Sequence, residues 1–138
     1  MAVGFKVGCY WFQVGTSDFL HSFFSTICIR LEHGKWGSVY PKLMEELYQG
    51  CLKNQDLNEG LEELSKVKKE LKNFSPSYVI WDAEDLSLTP PWGNNISSDI
   101  TDLSNYFVTS DGRDLISVLN EALEDAKEMH CDIEIDNL

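Results

Sequence analysis

The sequence predicts an α/β (α+β) domain: a small mixed β-sheet of about four strands with about four helices. Two signals carry this expectation. Apolar residues recur at helical spacing in several separate stretches, and alternating or β-branched and aromatic runs lie between them. Their order, β-α-α-α-β-β-α-β, is broken by glycine, proline and short polar turns, with no internal repeat and no low-complexity tract. A chain of 138 residues with 43% apolar content buries a core and reads as one domain over residues 1–138.

The first run, residues 3–14, is expected to be a strand, with Phe5, Val7, Cys9 and Trp11 on one face. Gly15 ends it. Thr16 or Ser17 caps a helix whose stripe is Leu20, Phe23, Phe24, Ile27, Cys28 and Leu31; His21, Ser22, Ser25 and Arg30 lie off that stripe. A loop from His33 to Ser38 places Trp36 between two glycines. Pro41 suits the first turn of a second helix with Leu43, Met44, Leu47 and Tyr48 on its apolar side, ended by Gly50. Asp56 and Glu59 resemble a capping box for a third helix, whose stripe is Leu57, Leu61, Leu64, Val67 and Leu71. Phe74-Ser75-Pro76 stops it.

Tyr78-Val79-Ile80-Trp81 reads as a short buried strand that delivers Asp82, Glu84 and Asp85 at its end. Pro90-Pro91 stiffens the following loop and Trp92-Gly93 closes it. A polar connection over Asn94–Ser98 leads to a strand-like run at Tyr106–Thr109. Ser110-Asp111-Gly112 then turns the chain and caps the last helix, with Leu115, Leu119, Ala122, Ala126 and Met129 as its stripe. Residues 131–136 alternate Ile133 and Ile135 with Asp132, Glu134 and Asp136, the pattern of an edge strand with a charged face.

Charge separates the two halves. Residues 1–76 hold 9 Lys/Arg and 9 Asp/Glu, whereas residues 77–138 hold 2 and 14, so the whole net charge of −12 lies in the second half. Phosphate contacts need cations, so nucleic-acid binding is excluded as the main activity and a basic protein partner is favoured. No apolar run is long enough to cross a bilayer and no secretory leader is evident, which points to a cytoplasmic protein with no membrane role. The oligomeric state is left open by the sequence.

Enzymatic readings find little support. Asp82, Glu84 and Asp85 are hard oxygen ligands of the kind that hold Mg²⁺ in phosphoester hydrolases, and this is the alternative function. Such centres also use a cation or a base, yet no Lys, Arg or His occurs from residue 73 to 112. The four cysteines are widely spaced and sit among apolar residues, so buried thiols are expected; a zinc site would need His130-Cys131 to meet His21 and Cys28. No phosphate-cradling glycine loop or nucleophile elbow is present, and no cofactor or catalytic residue is assigned. Trp11 and Trp81 are core candidates. Trp36 and Trp92 either pin their loops or anchor a partner.

Several of these stretches, taken in order, resemble a known family. They are Gly15-Thr-Ser-Asp-Phe-Leu-His-Ser-Phe-Phe24, Gly34-Lys-Trp-Gly37, Ile80-Trp-Asp82, Pro90-Pro-Trp-Gly93 and Asn105-Tyr-Phe-Val-Thr-Ser-Asp-Gly112. Together they resemble the immunity protein 70 family of bacterial polymorphic toxin systems. The resemblance implies a small cytoplasmic protein that binds a cognate toxin domain and neutralises it. An acidic inhibitor suits a basic nuclease, whose cleft must attract phosphate. The residues expected to meet the partner are Asp82, Glu84, Asp85, Trp92, Asp99, Asp102, Asp111 and Trp36.

Overall fold

The computed structural model describes residues 2–93 and 95–137; Asn94, the first residue of the expected polar connection, lies outside them. Four strands, β1 (Ala2–Val7), β2 (Tyr10–Thr16), β3 (Cys51–Leu52) and β4 (Ile133–Asn137), form one sheet in the order β2-β1-β4-β3. Every pairing is antiparallel, so the sheet is not mixed. The expected single strand over residues 3–14 folds back on itself as a hairpin at Gly8-Cys9. Gly8 has φ 60°, the left-handed conformation that glycine adopts without strain. The two stretches expected as inner strands, 78–81 and 106–109, stay out of the sheet. Val108 makes only an isolated pairing with Asp114.

Alternation along the strands sorts the two sheet faces. Val3, Phe5, Val7, Phe12, Val14, Leu52 and Ile133 are buried under the helices. Lys6, Trp11 and Glu134 occupy the other face, where Lys6 stands opposite both Trp11 and Glu134. Trp11 is therefore not a core residue. Its ring lies across Gly4, where an added Cβ would collide with the indole and with the Phe12 carbonyl.

Helix α1 (Ser17–Leu31) starts where expected, with the Thr16 hydroxyl accepting from the Phe19 N–H. It is buried on more sides than its stripe, since Ser22, Ser25 and Thr26 are enclosed too. The segment expected as the second helix is a single π-helical stretch, Lys42–Leu47, in which the Tyr48 N–H reaches the Leu43 carbonyl. Its first N–H groups, on Lys42 and Leu43, donate to the Glu63 carboxylate; burial pushes that carboxyl's pKa up while those bonds oppose the rise.

Helix α2 (Leu57–Leu71) buries Leu57, Leu64, Val67 and Leu71, as its period requires. Asp56 does not cap it. The Asp56 carboxylate faces the Lys42 ammonium at 3.4 Å, and Glu59 lies 3.8 Å from the same cation. Helix α3 (Leu115–Met129) is capped by Asp114, which accepts from the Ser117 N–H at 3.0 Å; the expected cap at 110–112 forms the preceding turn. The core is continuous from the sheet through α1, α2 and α3.

Candidate functional site

From Val79 to Asp114 the described residues contain no helix and no ladder strand, only the isolated Val108–Asp114 pairing. So long an irregular stretch inside a compact domain usually carries function. It is nonetheless tightly held. Ser22 Oγ donates to the Ile80 carbonyl at 2.8 Å, Thr26 Oγ1 donates to the same oxygen at 3.1 Å, and the Ile80 N–H donates back to Thr26 Oγ1. Arg30 Nε donates to the Tyr78 carbonyl, and its guanidinium lies 5.2 Å over the Tyr78 ring. The polar side of α1 thus substitutes for a neighbouring strand. This is why residues 78–81, strand-like by composition, stay out of the sheet: Tyr78 closes a 3-10 turn over Pro76–Tyr78 and stands exposed, and the backbone extends at Val79.

Just beyond this segment Asp82 meets α1 again. Its Oδ1 lies 3.2 Å from His21 Nε2, and His21 Nδ1 lies 2.6 Å from the Tyr48 hydroxyl. With Asp82 ionised, Nε2 donates to it, and in the neutral ring Nδ1 accepts the phenolic proton. The Glu84 N–H, followed by His21, holds the Asp82 carboxyl below its usual pKa. Burial, with the negative charges of Glu84 and Asp82, pushes the Tyr48 phenol up, so it stays a protonated donor. Trp36 stacks on His21 with ring centroids 6.2 Å apart and meets Tyr48 edge-on at 4.9 Å, while its Nε1 donates to the Met44 carbonyl. Trp36 is thereby joined, through His21, to Asp82.

Two consecutive turns follow, closed by the Asp85 N–H to the Asp82 carbonyl and the Leu88 N–H to the Asp85 carbonyl. The two aspartates also accept from the N–H groups of Glu84 and Ser87. Leu86 and Leu88 project from these turns, 61% and 48% exposed. Trp92 sits edge-on to Trp81 at 5.5 Å and donates through Nε1 to the Tyr106 hydroxyl at 2.8 Å. The Pro90–Gly93 turn walls a groove of about 520 Å³ completed by Pro76, Val79, Ile96 and Tyr106.

Asp82, Glu84, Asp85 and Trp92 therefore lie along one course of the chain, and Trp36, from a separate loop, reaches Asp82 through His21. Asp99, Asp102 and Asp111 are spread over later turns, each tied to a near neighbour. Ser97 Oγ accepts from the Asp99 N–H, Asp102 accepts from the N–H and hydroxyl of Ser104, and Asp111 accepts from the Thr109 hydroxyl. Sequence reasoning missed His21 as the joint between the two tryptophan-bearing loops, and its place off the α1 stripe was the only hint. It also missed Glu32, a buried carboxylate that accepts from the N–H groups of Gly37, Val39 and Tyr40 and so fixes the Trp36 loop.

Among the described residues no three His, Cys, Asp or Glu side chains are grouped to hold a metal ion. The carboxylates proposed as Mg²⁺ ligands are already partly engaged, Asp82 with His21 and Asp85 with Ser87. What the site presents is carboxylates, exposed leucines and ordered indoles on a braced loop, the equipment of a protein that binds another protein.

The sequence profile of immunity protein 70 matches residues 5–135, and the chain belongs to that family. Membership makes it an immunity protein whose partner is a toxin protein, in a family that is generally non-enzymatic. No curated protein and no solved structure matches the chain. None of its described helices is long and apolar enough to cross a membrane.

Proposed function

We propose that this chain acts in the cytoplasm as a single-domain inhibitor of a basic toxin domain of a polymorphic toxin system, a nuclease, and that it works by covering the toxin's active site or substrate path. The observation that carries this reading is the charge division: all of the net −12 lies in residues 77–138. Within the irregular stretch 79–114, seven carboxylates face one cation, Arg113. A nuclease must attract phosphate, so its cleft is positive, and an acidic surface is steered to it. The contact residues in this reading are Asp82, Glu84, Asp85, Asp99, Asp102 and Asp111, with Trp36 and Trp92 as aromatic anchors.

The test is association with the toxin domain encoded by the adjoining gene, followed by stopped flow from about 50 mM to 1 M salt. Steered association reaches roughly 10⁸–10⁹ M⁻¹s⁻¹ at low salt. It should fall steeply as the Debye length contracts to about 3 Å at 1 M. A flat profile sinks the electrostatic reading. A bound toxin that still cleaves nucleic acid at its full rate sinks the covering mechanism.

A further inference from the structure

We propose that Leu86 and Leu88, with Trp92 beside them in the chain, form the apolar centre of the toxin-facing surface, and that they enter a cleft with an apolar floor and a cationic rim. The proposal rests on the toxin-binding reading above and adds which side chains hold the complex together once charge has brought it into being.

Three of the eight large apolar side chains that stand exposed among the described residues fall within the seven residues 86–92. Leu86, at 61%, is the most exposed of the eight, and neither leucine packs against the core cluster. Exposure of this kind, rimmed by polar groups, marks an interaction site. The leucines are not projected by slack chain. Back-to-back turns at Asp82–Asp85 and Asp85–Leu88 fix the backbone that carries them, and the Asp82–His21 contact ties those turns to α1. A prearranged tip loses little freedom when it is enclosed.

The charges around the tip select its occupant. Asp82, Glu84 and Asp85 precede it, and no Lys, Arg or His occurs from residue 73 to 112. Anionic surfaces, whether nucleic acid or an acidic membrane, are repelled. So is a second copy of this chain, which brings the same net charge of −12. A protein cleft with Lys and Arg at its rim satisfies both features, since its cations meet the carboxylates while the leucines displace water from its floor.

The probe is the purified toxin domain encoded by the adjoining gene. Its binding would be compared for wild type, Leu86→Ser/Leu88→Ser, Glu84→Gln/Asp85→Asn, and the control Tyr10→Ser/Met129→Ser, which alters exposed apolar groups on β2 and at the end of α3. The leucine pair should weaken affinity at least 100-fold, almost entirely through faster dissociation, with the salt dependence of association kept. The carboxylate pair should slow association about tenfold at low salt. The control should stay within threefold of wild type, and all four proteins should melt within a few degrees of one another. A leucine variant that binds within threefold of wild type overturns this proposal and leaves the toxin-binding reading standing. Absence of wild-type binding overturns both. A wild-type dimer in sedimentation that the leucine variant abolishes shows the patch to be a self-contact and also overturns the proposal.

Discussion

The sheet with its three long helices and the irregular stretch 79–114 are built by different forces. In the first, order comes from period: Phe5, Phe23, Leu64, Val67, Leu119 and Leu123 are sealed because strand and helix spacing turn them the same way. In the second, Leu103, Tyr106 and Phe107 join the core and α1 holds residues 78–82, but the turns between are ordered by short-range bonds between polar side chains and nearby backbone. Asp82, Asp85, Ser97, Asp102 and Asn105 each accept from an N–H within four residues. Carboxylates that look like spare surface charge therefore also shape the chain that bears them. The acidic character of this stretch serves its conformation as well as its encounter with a partner.

The largest expected effect tests the packed region. Phe23 is fully buried, 5.5 Å from Phe24 and 5.3 Å from Phe107 between ring centroids. Phe23→Ala should cost about 4 kcal/mol in urea unfolding. A loss below about 1.5 kcal/mol means that the apolar layer is not what holds the fold. Next comes Glu32, which uses the polar device inside the packed region. Glu32→Ala strands three N–H groups and should cost about 3 kcal/mol, with Glu32→Gln recovering part. If alanine is as stable as wild type, the two regions do not share that device.

Trp92→Ala acts chiefly on the irregular stretch, where the ring meets Trp81 and Tyr106, and loses one contact with Phe19 of α1. Trp92 is 37% exposed, so its loss should cost about 2 kcal/mol, less than a sealed tryptophan. Amide exchange should speed up around 88–108 while α2 and α3 stay protected. Uniform acceleration across the molecule would erase the distinction between the regions. The smallest effect is in pH. The Asp82 carboxyl is held low by the Glu84 N–H and then by His21. A native value below the unfolded one, about 3.9, stabilises the fold above that pH, and the contribution is lost as pH falls through the native value. Asp82→Asn should therefore flatten the acid limb of a melting-temperature profile as pH falls below about 4. An unchanged limb means the Asp82 contacts add nothing.

The difference between the regions also explains what could be read from sequence. Stripes such as Leu57–Leu71 and Leu115–Met129 announce helices because burial follows their period. The hairpin at Gly8-Cys9 escaped because Val3 to Val14 shows no obvious break, yet the two-residue turn moves the buried set from Val3, Phe5 and Val7 to Phe12 and Val14, which is why Trp11 faces away from the core. Tyr78–Trp81 has strand composition, but its backbone partners are hydroxyls and a guanidinium on α1, which periodicity does not register. The acidic loop, Trp36 and Trp92 were visible as candidates by residue type and position. The linkage of Trp36 to the acidic loop through His21 and Tyr48 joins residues 27 and 61 apart in sequence, and nothing local encodes it.

The pairing of β1 with β4 has a consequence in time. Phe5 stands opposite Ile135, so the middle of the sheet joins one end of the chain to the other. During synthesis β1 leaves the ribosome well before β4 and can pair only with β2, while its other edge waits for residues 133–137. Closing so wide a loop is slow compared with forming α2 or α3 locally. Protection would then appear only once translation has passed β4, and a cell could not draw it from nascent chains. An unpaired β1 edge over that interval is also a point open to misassembly.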